Sequence, residues 1–570
     1  MALIIAGERS GVGKTTVTLA LLSYLSKCNY TIQSFKVGPD YIDPMFHQRV
    51  TGRPCRNLDP VLTSEGYVKD CFYRHCQGVD YALIEGVMGL FDGASGKDDF
   101  ASTAHVARLL DVPVLLVLDC SRLSRSVAAI AYGYQSLDPR ITIAGVVLNR
   151  VGSSRHLELL KDALEPLHIP ILGELHRQDN ITIPDRHLGL IPTAEITQLD
   201  ALINRLADLG QSCFNWEHLD SELKVSRLQV EGFSELKVGR LQVEGSSELK
   251  VNRLQLNSEL KVNRLQVVRV RAASALPKGW PFGQGSLDNL QPNNLQPVTS
   301  NNLQPVTSTN LQPNNLQPVT SNNLQPVTST NLQPNNLQPV TSNNLQPVTS
   351  TNWQPALIRI AVACDRAFSF YYQDNLDSLE QLGAELVYWS PLTDTTLPAD
   401  VKGMYFGGGF PEVFAEQLAE NTSARESVRI AIESGMPTYA ECGGLMYLGE
   451  QITDFDGKSW SMVGVLPTVT VMGKSLTLGY RQATALVDGP LLPAGATVWG
   501  HEFHRSHLTV MPSNPLFELR GYHQRKVGVE GWQVYQLHAS YVHLHWGSCL
   551  EVPLGFLERC QQFTFEGMTS

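Results

Sequence analysis

Leu3-Ile4-Ile5-Ala6-Gly7-Glu8-Arg9-Ser10-Gly11-Val12-Gly13-Lys14-Thr15-Thr16 is the stretch on which the reading of this chain turns. Its apolar start reads as a strand, a glycine-rich loop follows, and Leu19, Ala20, Leu22 and Leu25 then recur with helical spacing. Strand, glycine loop, Lys-Thr and helix together form a cradle for phosphates. The glycines let backbone N–H groups converge on an anion, Lys14 neutralises charge, and the Thr15 hydroxyl suits Mg²⁺. Gly11, Gly13, Lys14, Thr15 and Thr16 are therefore expected to bind ATP. The spacing departs from the common pattern, because the first glycine sits one place early and Glu8 fills its slot.

Outward from this loop, short apolar runs (Tyr81 to Ile84, Val112 to Leu118, Ile143 to Leu148) alternate with helix-like stretches up to about residue 205. That alternation predicts a parallel sheet covered by helices. A second α/β segment, 357–570, restarts at Ile358-Arg359-Ile360-Ala361-Val362-Ala363 and becomes richer in strand-like runs near its end. Between them, Ser-Glu-Leu-Lys-Val-x-Arg-Leu-Gln units give way to Asn-Leu-Gln-Pro units. These are polar and Pro-studded, so 206–356 is read as a disordered repeat insertion in a linker with no catalytic part.

Composition narrows the classes. A length of 570 residues calls for at least two domains, and a net charge of −11 disfavours a phosphate-gripping nucleic-acid binder. No apolar run has the length of a bilayer span and the start lacks a secretory pattern. The ten cysteines are scattered, as expected of reduced thiols. The expectation is a cytoplasmic protein that binds neither nucleic acid nor membrane.

Two further segments bear on the phosphate site. Phe35-Lys36-Val37-Gly38-Pro39-Asp40-Tyr41-Ile42-Asp43-Pro44 follows a strand, and alone it could be a solvated turn. Beside a phosphate loop, Asp40 and Asp43 become candidate Mg²⁺ or substrate ligands and Lys36 a stabiliser of a transferring phosphoryl group. Strand 81–84 ends in Glu85, where open α/β sheets bind ligands, so Glu85 joins Thr15 and Asp43 as a candidate metal ligand. Asp92, in a Gly-rich loop, is either an ordinary turn residue or a substrate-side acid.

The later half carries Phe406-Gly407-Gly408-Gly409-Phe410, Ala440-Glu441-Cys442-Gly443-Gly444 and, about a hundred residues on, Val542-His543-Leu544-His545. A lone Cys is ordinarily a small buried residue. A Cys on a sharp strand-to-helix turn is exposed to a helix N-terminus that favours thiolate. Backbone N–H groups of Gly408, Gly409 and Gly443 could stabilise an oxyanion, and a distant His could activate the thiol and protonate leaving ammonia. Cys442 is thus expected as nucleophile and His543 as its base, with His545, on the same side of a strand, as the alternative.

These motifs resemble known families. The first loop is similar to those of the dethiobiotin synthetase and partition-ATPase group, although the partition enzymes carry an extra Lys where Arg9 stands. The later half resembles class I glutamine amidotransferase domains of the cobyric acid synthase type. The common form of that class ends in His-x-Glu, whereas here His545 stands two places after His543 and the third triad member is unassigned. Taken with Arg186 to Pro192 and Ala363 to Tyr372, the chain resembles the cobyrinic (or hydrogenobyrinic) acid a,c-diamide synthase family, apart from its repeats.

That resemblance implies an N-terminal P-loop NTPase domain and a C-terminal class I glutamine amidotransferase (flavodoxin-like) domain. It implies a ligase of cobalamin biosynthesis that takes ATP, glutamine, Mg²⁺ and a corrin, with Asp40, Asp43, Glu85 and Asp92 at the ATP and substrate site. Alternatives are cobyric acid synthase, a nickel-sirohydrochlorin a,c-diamide synthase, a non-catalytic partition-type ATP switch, or a scaffold acting through the repeats. A homodimer is the assembly to look for.

Overall fold

The computed structural model describes residues 2–177, 185–186, 189–223 and 357–564. In the first half, β1 (Ala2–Gly7), α1 (Lys14–Lys27), β2 (Ile32–Val37), α2 (Ile42–Thr51), β3 (Arg56–Leu58), α3 (Glu65–His75) and β4 (Tyr81–Glu85) open the fold. It continues through α4 (Thr103–Leu110), β5 (Val114–Asp119), α5 (Ser126–Leu137), β6 (Ile143–Val151), α6 (Ser154–Leu164) and β7 (Ile171–His176). The seven strands form one parallel sheet in the order β3-β2-β4-β1-β5-β6-β7. Every residue of β1, β2, β4 and β5 is buried, which is why these strands read as unbroken apolar runs. With β1 lying between β4 and β5, the carboxyl ends of the central strands border a switch point of the kind that binds ligands.

The small strands β8 (Asp185–Arg186) and β9 (Gly189–Leu190) pair antiparallel, and α7 (Leu199–Ser212) and α8 (Trp216–Leu223) follow. Helix α1 is apolar on most sides because it sits between the sheet and α7. A Cβ on Gly210 of α7 would lie 2.2 Å from the Ala20 carbonyl oxygen, so glycine permits that approach. The boundary expected at 205 therefore falls inside a helix. Leu206, Leu209, Leu219 and Leu223 are buried in the first half's core, so its folded part runs to Leu223. Buried leucines contribute roughly 1.5–3 kcal/mol each, enough to hold these helices against the sheet. The repeat segment from 224 to 356 lies outside the described residues, as do His187 and Leu188.

The second half begins with β10 (Ile358–Ala363), α9 (Gln373–Gln381), β11 (Ala384–Trp389), β12 (Gly403–Phe406), α10 (Ala415–Glu420), α11 (Thr422–Glu433), β13 (Thr438–Glu441) and α12 (Gly443–Leu448). Then come β14 (Gly449–Thr453), β15 (Ser459–Ser461), β16 (Leu466–Ala485), β17 (Thr497–Leu508), β18 (Phe517–Gly521), β19 (Lys526–Glu530), β20 (Trp532–Val534), β21 (Leu537–Ser540), β22 (His543–Leu544) and α13 (Glu551–Gln562). A six-stranded sheet, β11-β10-β12-β13-β21-β20, is parallel except at β20. A second sheet, β15-β14-β16-β17-β22 with β18 also paired to β16 and β19 beyond β18, accounts for the late strand-rich pattern.

Both halves belong to one compact unit. Phe370, Tyr372 and Phe410 share a buried cluster with residues of β1, α1 and α2. Across the same junction, the Tyr480 hydroxyl donates to Asp59 at 2.8 Å and Arg56 to Asp374 at 3.1 Å. Among the described residues no helix is long and apolar enough to cross a membrane.

Candidate functional site

The first centre forms where α1 starts. Gly13 precedes the helix with φ 101°, and no side chain caps the first turn, so its N–H groups are left for a ligand. A Cβ on Gly13 would lie 2.3 Å from Asn149 Nδ2, and that amide donates to Val12 O at 2.7 Å. Only glycine fits there. Lys14 Nζ folds back onto the carbonyls of Arg9 (3.2 Å) and Met88 (2.5 Å). Burial first, then the neighbouring Lys36 charge, pull its ammonium down to about 8. Arg9, largely exposed, instead pairs with Asp119 at 3.0 Å.

Beside Lys14, five sequence-predicted residues converge. Thr15 Oγ1 donates to Glu85 Oε1 at 2.6 Å. Lys36 Nζ lies 2.9 Å from the same oxygen, 3.7 Å from Asp40 Oδ2, and in an ion pair with Asp43. Burial alone would raise Glu85, but Lys36, then His47 and Thr15, hold it far below the usual carboxylate range. Asp43 moves the other way, up to about 8, through burial and the adjacent Asp40. Three carboxylates thus crowd around one buried lysine, an oxygen-rich pocket of the kind a hard divalent cation prefers. Thr15, Asp43 and Glu85 supply the oxygen donors such an ion prefers. Asp40 also organises its own loop, accepting from the N–H groups of Ile42 (2.9 Å) and Asp43 (3.1 Å). Asp92 accepts from Gly89 N at 2.8 Å and so holds a turn, while its charge faces Lys14.

The second centre is the turn between β13 and α12. Cys442 has φ 46°, a left-handed value that non-glycine residues adopt only when the surroundings enforce it. Its N–H is fixed by Ser540 O at 2.8 Å. A Cβ on Gly443 would approach Gly409 N to 3.0 Å, and one on Gly408 would meet His543 Cε1 at 2.5 Å. The Gly407–Gly409 turn therefore lies against both the cysteine turn and the His543 ring.

Two expectations need correction here. The Gly408 N–H already donates to Phe370 O at 3.2 Å, which leaves Gly409 and Gly443 for an oxyanion. The thiol is not held as thiolate: burial, then Glu412, Glu441 and Glu502, push Cys442 well above its ordinary value. A helix of only six residues does not outweigh three acids.

The two histidines have different partners. His543 faces Glu441, with Nδ1 3.5 Å from Oε2. His545 Nδ1 accepts from Gly547 N at 3.1 Å, and its Nε2 lies 3.5 Å from Asp374.

Sequence reasoning passed over three residues. His47 Nε2 lies 2.8 Å from Glu85 Oε2, and its position four after Asp43 on α2 was the available signal. Held up by Cys55 and Glu85 against burial, it reaches about 10. Glu441 was visible only as the neighbour of Cys442. Tyr41 stands between Asp40 and Asp43, yet its ring centroid is 5.0 Å from that of His543 and 5.4 Å from that of Phe370. One loop thus touches both centres.

Residues 3–191 match the CobQ/CobB/MinD/ParA nucleotide binding domain, and residues 359–549 the CobB/CobQ-like glutamine amidotransferase domain. The chain is 48% identical over 99% of both lengths to cobyrinate a,c-diamide synthase of Synechococcus sp.. It is 42% identical to the Synechocystis sp. protein of the same name, over 99% of this chain and 94% of the other. It is also 36% identical to hydrogenobyrinate a,c-diamide synthase of Streptomyces coelicolor, over 98% and 97% of the two lengths.

Proposed function

Because the chain belongs to the cobyrinate a,c-diamide synthase family, we propose that its two centres run one coupled reaction. The enzyme is a glutamine-hydrolysing ligase of cobalamin biosynthesis, and it amidates the a and c acetate groups of cobyrinic acid with ATP and glutamine. The observation that carries the coupling is the Asp40-Tyr41-Asp43 loop, whose acids face Lys36 while its ring faces His543.

At the first centre a carboxylate oxygen of the corrin attacks the γ-phosphorus of ATP, and ADP leaves. Lys14 and Lys36 carry the positive charge that phosphoryl transfer needs. Mg²⁺, for which Thr15, Asp43 and Glu85 are the fitting ligands, would neutralise phosphate charge when bound. At the second centre Cys442 gives its proton to His543 and attacks the glutamine amide carbon. Ammonia then leaves with that proton, and Gly409 and Gly443 face the oxyanion. Ammonia displaces phosphate from the acyl phosphate, and the thioester on Cys442 is hydrolysed to glutamate. The ten unpaired cysteines suit a reducing, cytoplasmic setting. A homodimer completes the proposal, to be read from the mass in solution.

Mass spectrometry of cobyrinic acid incubated with enzyme, ATP, Mg²⁺ and glutamine tests this reading. The expected outcome is two successive losses of one mass unit, each an OH exchanged for NH₂. An unchanged corrin, with ATP and glutamine both still hydrolysed, would move the substrate to a metal-free or different tetrapyrrole acid.

A further inference from the structure

We propose that Glu441, the residue immediately before the nucleophile, is the acid that orients His543. This rests on the reading of Cys442 and His543 as the glutamine-splitting pair. An imidazole that must take a proton at Nε2 needs its Nδ1–H held, because otherwise the tautomer and the ring angle are free. Acid is usually supplied from the histidine's own strand, two residues on. Here that place is His545, which turns to Asp374 and Gly547.

Three observations point to Glu441. First, both side chains are closed off from water, at 1% exposure each, and Nδ1 of His543 has no hydrogen-bond partner among the described residues. A buried ring nitrogen left unpaired is costly, so the group facing it matters. Second, the facing group is Glu441 Oε2 at 3.5 Å. A shift of a few tenths of an ångström on glutamine binding would make this a charge-assisted hydrogen bond.

Third, the carboxylate is itself anchored. Oε1 accepts from the Tyr439 hydroxyl and from Leu544 N (2.9 Å), and Tyr405 OH lies 3.5 Å from Oε2. Since Leu544 adjoins His543, one oxygen steadies the strand carrying the base and the other faces the base. Parallel pairing of β13 with β21 brings the two segments together, with Glu441 opposite Ser540, three residues before His543. Glu441 is accordingly a positioning residue, acting through His543. The proton cycle is unchanged, from Cys442 Sγ to His543 Nε2 and on to the departing ammonia, while Glu441 faces Nδ1 and holds the ring.

The test separates glutamine hydrolysis from amidation driven by ammonium chloride. Glu441→Gln keeps shape and an acceptor but removes the charge. Its kcat for glutamate release is expected to fall about 100-fold with KM for glutamine within about 2-fold, and ammonium-driven amidation is expected at wild-type rate. A kcat within about 3-fold of wild type overturns the proposal.

Loss of ammonium-driven activity as well would mean the buried substitution has disturbed the fold. The unaltered enzyme then decides, through ¹⁵N-histidine NMR with His543→Gln identifying the signal. A protonated Nδ1 on His543 at neutral pH supports the pairing, and a bare Nδ1 overturns it. If wild-type enzyme hydrolyses glutamine but never amidates cobyrinic acid, the acceptor reading fails and Glu441 is judged on hydrolysis alone.

Discussion

The two centres solve opposite problems. The phosphate site crowds charge into a buried space, with Lys14, Lys36 and His47 against Asp40, Asp43 and Glu85, and it is stable because nearly every charge touches its opposite. The cysteine site lacks such pairing: the His543 ring sits against Gly408 and Tyr41, and burial, then Glu412, Glu441 and Glu502, keep the Cys442 thiol protonated. One site holds its charges in pairs, and the other holds, in a buried setting, a protonated thiol and a His543 Nδ1 unpaired among the described residues.

The largest expected effect divides them. Cys442→Ala should abolish glutamine-driven amidation, by about 10⁴-fold or more, while ammonium-driven amidation continues. Loss of both routes in a folded protein would break the division into two sites. Lys36→Met should do the reverse, lowering amidation from either nitrogen source by about 10³-fold while glutamate release persists. It also leaves Glu85 and Asp43 sharing a buried site without their lysine, which costs about 3–5 kcal/mol and is read by chemical denaturation. Retained amidation would show that Lys36 is structural only.

A smaller effect tests the contact between them. Tyr41→Leu removes the ring beside His543 and leaves Asp40 and Asp43 in place. Glutamine-driven amidation is expected to fall about 10-fold relative to ammonium-driven amidation, because a one-ångström misplacement of a catalytic group costs up to two orders of magnitude. Equal rates from both sources would confine Tyr41 to packing.

The same contrast explains what could be read from sequence. The phosphate site comes from one sheet: Gly11 to Thr16, Lys36 to Asp43 and Glu85 each sit at the end of one of its neighbouring strands, so strand pattern and motif located them together. The cysteine turn was equally legible. Its surroundings were not, because Gly408, Cys442 and His543 come from β12, β13 and β22, and which backbone N–H is free depends on Phe370. Thiolate was expected from the helix alone, and burial, joined by Glu412, Glu441 and Glu502, reverses it. The end of the first half was placed at 205 because the repeat pattern near 221 masked the buried Leu206, Leu209, Leu219 and Leu223, whose partners on α1 and the sheet lie about two hundred residues earlier.

The two halves also treat one residue type differently. Glu85 and Glu530 are both buried, yet Glu85 is held ionised while Glu530 is pushed up to about 8, by burial and then by Glu502. Cations explain Glu85. Glu530 accepts only from the Ser540 hydroxyl (2.5 Å) and Tyr541 N (3.1 Å), with no ion pair among the described residues. The native state therefore keeps a proton that the unfolded chain surrenders near pH 4.5. Stability falls as pH rises between about 4.5 and 8, with a slope approaching about 1.4 kcal/mol per pH unit from this group. Glu530→Gln accepts from Tyr541 N through its carbonyl oxygen and turns its NH₂ to donate to Ser540 Oγ, so its Tm should fall less than that of wild type between pH 6 and pH 9. Parallel Tm curves would place the proton elsewhere and leave Glu530 paired by a cation after all.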